Sequence, residues 1–254
     1  DMEVSMSTLF YLSSAQMDVI RPFFLVQEAF PEGTIKKLSV NYPGSQVRSP
    51  MEGCSKINVP YKTLYNLFVR WSNMGVFEKI FTALSESTQD TSLLMIDATC
   101  LKAHRTAASL RKKGFLSLYR TNKRRIEHQI HVVCDSDGRP IRTLLTAGTI
   151  SDYGGAAYLL PTLPSTRMLL ADRCYDTGWI RSFLKNRGCT PCIPSRKNAK
   201  SQEYYEKKQY RQRHKIENMF SRLKDWRRIA TRSDCCAPTF LSAITLAAIV
   251  IFYL

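Results

Sequence analysis

The sequence predicts an α/β protein, because short apolar runs typical of buried strands alternate with stretches of helical periodicity. Two of these runs, LLMI at 93–96 and MLLA at 168–171, continue directly into an aspartate. A helix near the C-terminus follows them and carries Ile216, Phe220 and Leu223 on one stripe. We therefore expect a central sheet with helices packed against it.

The elements can be placed along the chain from their periodicity and their breakers. Segments 61–71 and 76–84 predict two short helices on either side of Gly75. Strands at 130–134 and 141–146 meet at an Asp-Gly pair, which is a hairpin signal. The remaining elements are a helix at 152–160, a strand into Asp172, a helix at 176–186 ended by Gly188, a strand at 190–193 and one long helix containing Glu217.

The N-terminal part, 1–90, is expected to be a small helical region separate from a larger domain at 91–254. Lys62, Arg70 and Trp71 suit a helix-turn-helix-like DNA reader, and a helical hairpin that only covers the sheet is the equal alternative. Segment 31–60 is atypical, because it lacks the amphipathic pattern of a helix.

Charge points to a polyanionic partner. The 254 residues carry a formal net charge of +16 and the isoelectric point is about 9.6, which favours nucleic acid over an acidic or neutral partner. The basic residues are clustered in two stretches that flank the acids discussed below, at 102–125 and at 211–232. A phosphate backbone would have to lie there.

No membrane role is expected. The apolar C-terminal segment 239–254 is shorter than the roughly 20 residues needed to span a bilayer, so we predict a buried helix. Eight cysteines without a signal peptide favour a reducing cytosol over a disulfide scaffold.

Three acids form the candidate catalytic set. Asp97 and Asp172 each follow a predicted strand, and ligands collect at the carboxyl ends of strands in open α/β sheets. Glu217 lies on the predicted C-terminal helix. Mg²⁺ binds through one or two carboxylates plus substrate phosphates, and in-line phosphoryl displacement often uses a pair of such ions. The three acids therefore predict a divalent metal site that acts on phosphates.

The C-terminal helix carries further polar groups beside Glu217. Tyr210, Arg213, Glu217 and Lys224 recur at spacings of three, four and seven. At about 100° per helical residue they fall within roughly 60° of arc. This pattern predicts one helical face that presents a phenol, a guanidinium, a carboxylate and an ammonium together.

Three stretches resemble one known family: LLMIDATCLKAHRTAASLRKKG at 93–114, LLADRCYDTGWIRSFLKNRG at 169–188 and YRQRHKIENMFSRLKDWRRIATR at 210–232. They are similar to DDE transposases of bacterial insertion sequence family five, which is related to family four. The last stretch fits the family signature Y-x2-R-x3-E-x6-K at every fixed position.

The resemblance implies a ribonuclease-H-like catalytic domain that cleaves DNA and transfers strands at insertion-sequence ends. It implies that Asp97, Asp172 and Glu217 hold two divalent ions, Mg²⁺ or Mn²⁺. Double-stranded DNA of the terminal repeats and of the target is the expected partner, the chain is expected to act as a homodimer, and its place is the bacterial cytoplasm. The expected DNA-binding residues are Tyr210, Arg213, Lys224, Lys102 and Arg105.

Two alternatives stay open. The chain has Cys174 where family members usually have glycine, it lacks the glycine-rich loop expected around 115–130, and it begins at Asp1. These features and segment 31–60 favour a decayed transposase remnant that only binds DNA. A general nuclease on the same fold is the other alternative.

Five further acids are assigned structural roles from their positions. Asp135 and Asp137 are expected to shape the hairpin turn, and Asp152 and Asp176 to cap helices. Asp225 is expected to be solvated.

Overall fold

The computed structural model describes residues 14–20, 22, 61–88, 90–104, 107, 128–199, 202–234 and 236–254. Its centre is a mixed sheet with strand order β3-β2-β1-β4-β5. The first three strands form an antiparallel meander, and β4 and β5 continue the sheet parallel to β1. A short sixth strand pairs with the far end of β1. The strands are β1 (Leu93–Ala103), β2 (His128–Cys134), β3 (Pro140–Ala147), β4 (Met168–Leu170), β5 (Thr190–Cys192) and β6 (Thr231–Arg232).

Helices cover both faces of this sheet. The described α-helices are α1 (Ser14–Ile20), α2 (Tyr61–Asn73), α3 (Val76–Thr88), α4 (Asp152–Leu159), α5 (Gly178–Asn186), α6 (Lys207–Tyr210), α7 (His214–Lys224), α8 (Arg227–Ala230) and α9 (Ala237–Phe252). Helices α2, α3, α7 and α9 bury their apolar side chains in one core, and α4 and α5 bury theirs in the other. The α/β prediction is confirmed.

Side chains along β1 alternate between the two faces of the sheet and therefore enter two different cores. Leu93 and Met95 enter the core shared with α7 and α9, whereas Leu94 and Ile96 enter the core shared with α4 and α5. Successive strand residues point to opposite faces. Asp97 therefore belongs to the face that α7 covers.

Most predicted elements are confirmed, with ends that differ by a few residues. Gly188 ends α5 with a φ of +71°, a conformation that glycine adopts without steric cost. In the hairpin, Asp135 accepts hydrogen bonds from the backbone of Asp137 and Arg139, so its predicted role in the turn is confirmed. Asp225 is exposed, as predicted.

Two capping predictions were wrong by one residue. Ser151, and not Asp152, is the N-cap of α4, and its hydroxyl accepts from the backbone of Gly154. Thr177, and not Asp176, caps α5. Ser151 and Asp152 are both of residue types that commonly cap helices, and so are Thr177 and Asp176. Residue type alone therefore does not decide which member of each pair is the cap. Asp152 and Asp176 are thereby released for other contacts.

The single long C-terminal helix is also corrected. Helix α6 ends at Tyr210, a 3₁₀ turn spans Arg211–Arg213, and α7 begins at His214. A 3₁₀ turn winds by about 120° per residue instead of about 100°, so it rotates Tyr210 relative to the α7 face. Tyr210 packs edge-to-face against Tyr205, with ring centroids 5.3 Å apart.

Helices α2 and α3 share a core with the sheet. Phe68 and Phe77 stack at a centroid distance of 5.2 Å, and both lie in the core that also contains Phe240 of α9. Trp71 is only 7% exposed, so it is a core residue and not a base-reading side chain. Lys62 and Arg70 are exposed. The hairpin therefore packs against the sheet, and DNA contact through its exposed side chains stays a prediction.

The apolar C-terminal segment forms α9, which is buried along most of its length as predicted. Within the described ranges, no helix is both long and apolar enough to cross a bilayer. Segment 31–60, Arg105 and the loop before 128 lie outside the described residues.

Candidate active site

Strand β1 carries the first acid, but not at its end. The strand continues to Ala103, and Asp97 pairs with Val132 in the antiparallel register with β2. The prediction of an acid at a strand end was therefore wrong for Asp97. The strand can continue because the residues after it, Ala-Thr-Cys-Leu, have ordinary strand propensity.

Asp172 lies just beyond the end of the neighbouring parallel strand β4. Met95 pairs with Leu170, the last residue of β4; Asp97 follows two residues later within β1, and Asp172 follows two residues beyond the end of β4. Asp172 N-caps the 3₁₀ turn Arg173–Tyr175, with its Oδ1 accepting from the Cys174 amide at 2.8 Å. The other carboxylate oxygen of Asp172, Oδ2, takes no part in this hydrogen bond.

Arg213 joins the first and third acids. Its Nη2 donates to Asp97 Oδ2 at 2.7 Å, and its Nη1 donates to Glu217 Oε1 at 2.5 Å. Arg213 is four residues before Glu217, which places both side chains on one side of the helix. A guanidinium can make two such bonds at once because its donors form a planar fork.

Burial perturbs Asp97. Desolvation raises the pKa of Asp97 to about 6, and the nearby Asp172 charge adds to this, although the Arg213 guanidinium opposes it. Only 13% of the Asp97 side chain is exposed, compared with 57% of the Glu217 side chain. Asp97 is therefore a poorly solvated carboxyl between a second acid and a guanidinium, and a pKa perturbed in this way is typical of functional sites.

Lys224 fixes the far end of α7 to the same strand. Its Nζ donates to Thr99 Oγ1 at 2.6 Å. Thr99 lies two residues beyond Asp97 on β1 and therefore on the same face of the sheet. The sequence analysis did not single out Thr99, because a threonine inside a strand has no distinguishing signal.

Tyr210 also belongs to this neighbourhood, although it lies before the 3₁₀ turn. It is half-buried, and burial raises its pKa, with a contribution from the Asp172 charge, whereas Arg213 lowers it. Arg213 contacts Asp97 and Glu217, Lys224 contacts Thr99 beside them, and Tyr210 reaches the neighbourhood from before the 3₁₀ turn and not from the same helical face. Lys102 lies exposed near the end of β1.

A further carboxylate enters the site from α4. The oxygen ligand atoms of Asp152 and Asp172 and the Cys174 sulfur all lie within 4.8 Å of one another. Gln129 of β2 donates from its Nε2 to Asp152 Oδ1. Sequence analysis missed this residue because a first-turn aspartate is usually a capping residue. Its position directly after a strand and loop was the available signal.

Cys174 does not strain the turn it occupies. No described residue other than glycine has a positive φ, so Cys174 does not occupy a left-handed position, where a side chain would be strained. Desolvation, together with Asp172 and Asp152, raises the pKa of the Cys174 thiol to about 11. Cys174 is exposed and faces the two carboxylates as a neutral thiol.

The donor set suits divalent cations. Carboxylate oxygens are the preferred ligands of Mg²⁺ and Mn²⁺. The Arg213 guanidinium bridges two of these carboxylates, so positive charge already lies between Asp97 and Glu217. The residues present fit a divalent ion.

Comparisons with known proteins point to one family. The model of the transposase DDE domain matches residues 88–252. A Brucella ovis protein named as a transposase for insertion sequence element IS6501 is 32% identical over 125 residues, covering 49% of this chain and 96% of that protein. A solved structure, the cryo-EM structure of piggyBac transposase synaptic complex with hairpin DNA, aligns over 90% of this chain and 68% of that chain, with a TM-score of 0.49 and 10% identity.

Proposed function

This chain belongs to the transposase DDE domain family, whose members cleave DNA and transfer strands, and we propose that Asp97, Asp172 and Glu217 carry this chemistry here. The observation that supports the proposal most strongly is the convergence of three acids from distant parts of the chain. Asp97 lies on β1, Asp172 follows the end of the adjacent parallel strand β4, and Arg213 hydrogen-bonds to both Asp97 and Glu217.

The three acids would hold two divalent ions, which we propose to be Mg²⁺ or Mn²⁺. Bound there, such ions lower the pKa of a water nucleophile and stabilise the charge that develops on the leaving oxygen. The protein supplies a half-buried carboxylate on a rigid strand, Asp97, and a more exposed one, Glu217, on a helix that packs against the same core. Rigid elements hold ligands more accurately than loops do.

The basic side chains would position the DNA backbone. Arg213 already directs its Nη1 and Nη2 donors toward Glu217 and Asp97. A phosphate oxygen that takes the place of one of these carboxylates would meet the planar guanidinium, whose geometry favours contact with phosphate. Lys224 would act as a point charge, and Tyr210 as a hydrogen-bond donor near the cleaved end. Lys102 and Arg105 are proposed as further backbone contacts.

The proposals on fold type, domain boundary and insertion sequence family follow from the sequence resemblance to the DDE transposases. The strand order, with a three-stranded antiparallel meander followed by two parallel strands, supports a ribonuclease-H-like catalytic domain at 91–254. The match to the family begins at residue 88, which supports the boundary with the helical region 1–90. We propose membership of insertion sequence family five or the related family four, a homodimer in the DNA complex, and action on double-stranded DNA in the bacterial cytoplasm.

The test is a cleavage and joining assay with labelled duplex DNA that carries the sequence flanking this gene. A duplex with a scrambled end is the control, and both are incubated with Mg²⁺ and with Mn²⁺. Cutting and joining at the native end alone is the expected result. Equal cutting of both duplexes would indicate a general nuclease. Binding without cutting in either metal would indicate a DNA-binding remnant.

A further inference from the structure

Asp152, Asp172 and Cys174 form a cluster of ligand atoms on the α4 side of the site. The cluster joins three elements: α4 supplies Asp152, the end of β4 leads into Asp172, and the following 3₁₀ turn carries Cys174. Their ligand atoms lie within 4.8 Å of one another, which a single ion could bridge after small side-chain adjustments.

A second and independent feature faces the same place. Tyr175 is fully buried, and its hydroxyl has no hydrogen-bond partner among the residues that the structure describes. The charges of Asp97, Asp152 and Asp172 all act on this hydroxyl, so it lies close to the acids. A buried hydroxyl without a partner costs about 1–3 kcal/mol. The tyrosine is therefore placed to hydrogen-bond to something held by the acids, such as a water coordinated to an ion.

The position of Asp152 is built into the fold. Helix α4 approaches β2 so closely that a Cβ at Gly155 would lie 2.2 Å from His131 Nδ1. Gln129, two residues before His131 on the same strand, donates to the Asp152 carboxylate. Both contacts bring the first turn of α4 toward the sheet. Asp152 is consequently held by Gln129 on a helix that packs closely against β2, and it is not a freely solvated acid.

We propose that Asp152, Asp172 and Cys174 form a divalent-cation subsite that prefers soft or borderline ions such as Cd²⁺ and Co²⁺ to the hard ion Mg²⁺. This inference rests on the proposed function, because Asp172 is shared with the catalytic set. The two carboxylates supply charge for any divalent ion, Mn²⁺ included, whereas the sulfur discriminates, since soft ligands favour soft metals.

The test measures metal binding to the full chain without DNA. Cd²⁺ is titrated while the near-ultraviolet sulfur-to-metal absorption is followed, and Mn²⁺ binding is measured by the loss of the free-ion electron paramagnetic resonance signal. Cys174→Ser removes the sulfur and Asp152→Asn removes one charge. Cys100→Ser and Asp225→Asn are matched controls, because Cys100 and Asp225 are also exposed and lie outside the cluster.

We expect Cys174→Ser to lose one sulfur-to-Cd²⁺ absorption equivalent and Asp152→Asn to weaken Cd²⁺ and Mn²⁺ binding at least tenfold, with both controls unchanged. Tyr175→Phe should weaken Mn²⁺ binding a few-fold without lowering the unfolding temperature, since it deletes a hydroxyl that makes no hydrogen bond to any described residue. Unaltered Cd²⁺ affinity in Asp152→Asn, or unaltered absorption in Cys174→Ser, would overturn the proposal.

The two proposals fail in different ways. If the protein cuts no DNA in the assay above but Cd²⁺ binding depends on Asp152 and Cys174, the cation subsite stands and the catalytic proposal does not. If DNA is cut and joined while Cd²⁺ binding is the same in all variants, the catalytic proposal stands and the subsite does not. Far-ultraviolet circular dichroism of each variant confirms that it is folded.

Discussion

Replacing Asp97 by Asn should stabilise the metal-free protein at neutral and alkaline pH. Burial raises the pKa of Asp97 to about 6, compared with about 3.9 for an unperturbed aspartate. Between these values the folded protein binds more protons than the unfolded chain, so stability falls as pH rises from about 4 to about 6. The amide in the Asp97→Asn variant does not ionise, so the variant does not lose stability over this pH range. The amide oxygen can still accept the hydrogen bond from Arg213.

The size of the effect follows from the same two values. Each pKa unit corresponds to 1.36 kcal/mol, so the ionisation of Asp97 lowers the free energy of unfolding by about 3 kcal/mol at pH 8. The attraction of Arg213 is already included in the raised pKa. The difference between Asp97→Asn and the unsubstituted protein should therefore be about 3 kcal/mol at pH 8 and close to zero at pH 4.

Urea denaturation in the presence of a chelator measures this difference, with midpoints taken at several pH values between 4 and 8. Asp225→Asn is the control, because Asp225 is exposed, and surface substitutions usually change stability by less than about 0.5 kcal/mol. A difference that does not vary with pH would refute the reasoning. Added Mn²⁺ should reduce the advantage of Asp97→Asn, since an ion that binds only the folded state stabilises it.

Two further predictions concern the supports of the site. Lys224→Met should slow DNA cleavage more than tenfold in a single-turnover assay, while metal affinity stays within about twofold. The reason is that Lys224 contacts Thr99 and, among the described residues, no acid. An equal loss of metal affinity would contradict this prediction. Gly155→Ala should lower the free energy of unfolding, measured by urea denaturation, by about 2 kcal/mol or more, because the new methyl group would overlap the His131 ring. Gly178→Ala is the control and should not lower it, because a Cβ there meets no atom within 4 Å.

The sheet could be predicted because its signals are local. Apolar runs of strand length precede Asp97 and Asp172, whereas the 3₁₀ turn at Arg211–Arg213 breaks the single helical face that the spacing from Tyr210 to Lys224 predicted. Hydrophobic periodicity reports which face of an element is buried, and this information lies within a few residues of each acid.

Other parts of the site depend on contacts between distant segments, which no local pattern encodes. Thr99 is one of many strand threonines until Lys224, 125 residues later, reaches it. Asp152 was assigned as a cap because Ser151 and Asp152 are equally good capping residues by type, and only the backbone geometry decides between them. Cys174 differs from the family glycine by type alone in the sequence, and its proximity to Asp152 becomes visible only in the folded chain.

The central claim is that Asp97, Asp172 and Glu217 perform metal-dependent cleavage of DNA. The most direct measurement compares Glu217→Gln with Glu203→Gln, a second partly exposed glutamate outside the site, for binding and cleavage of duplex DNA carrying the native end in Mn²⁺. We expect both variants to bind this DNA with similar affinity, Glu203→Gln to cut it normally, and Glu217→Gln to show no cleavage. Cleavage at an unchanged rate by Glu217→Gln would contradict the assignment of the active site.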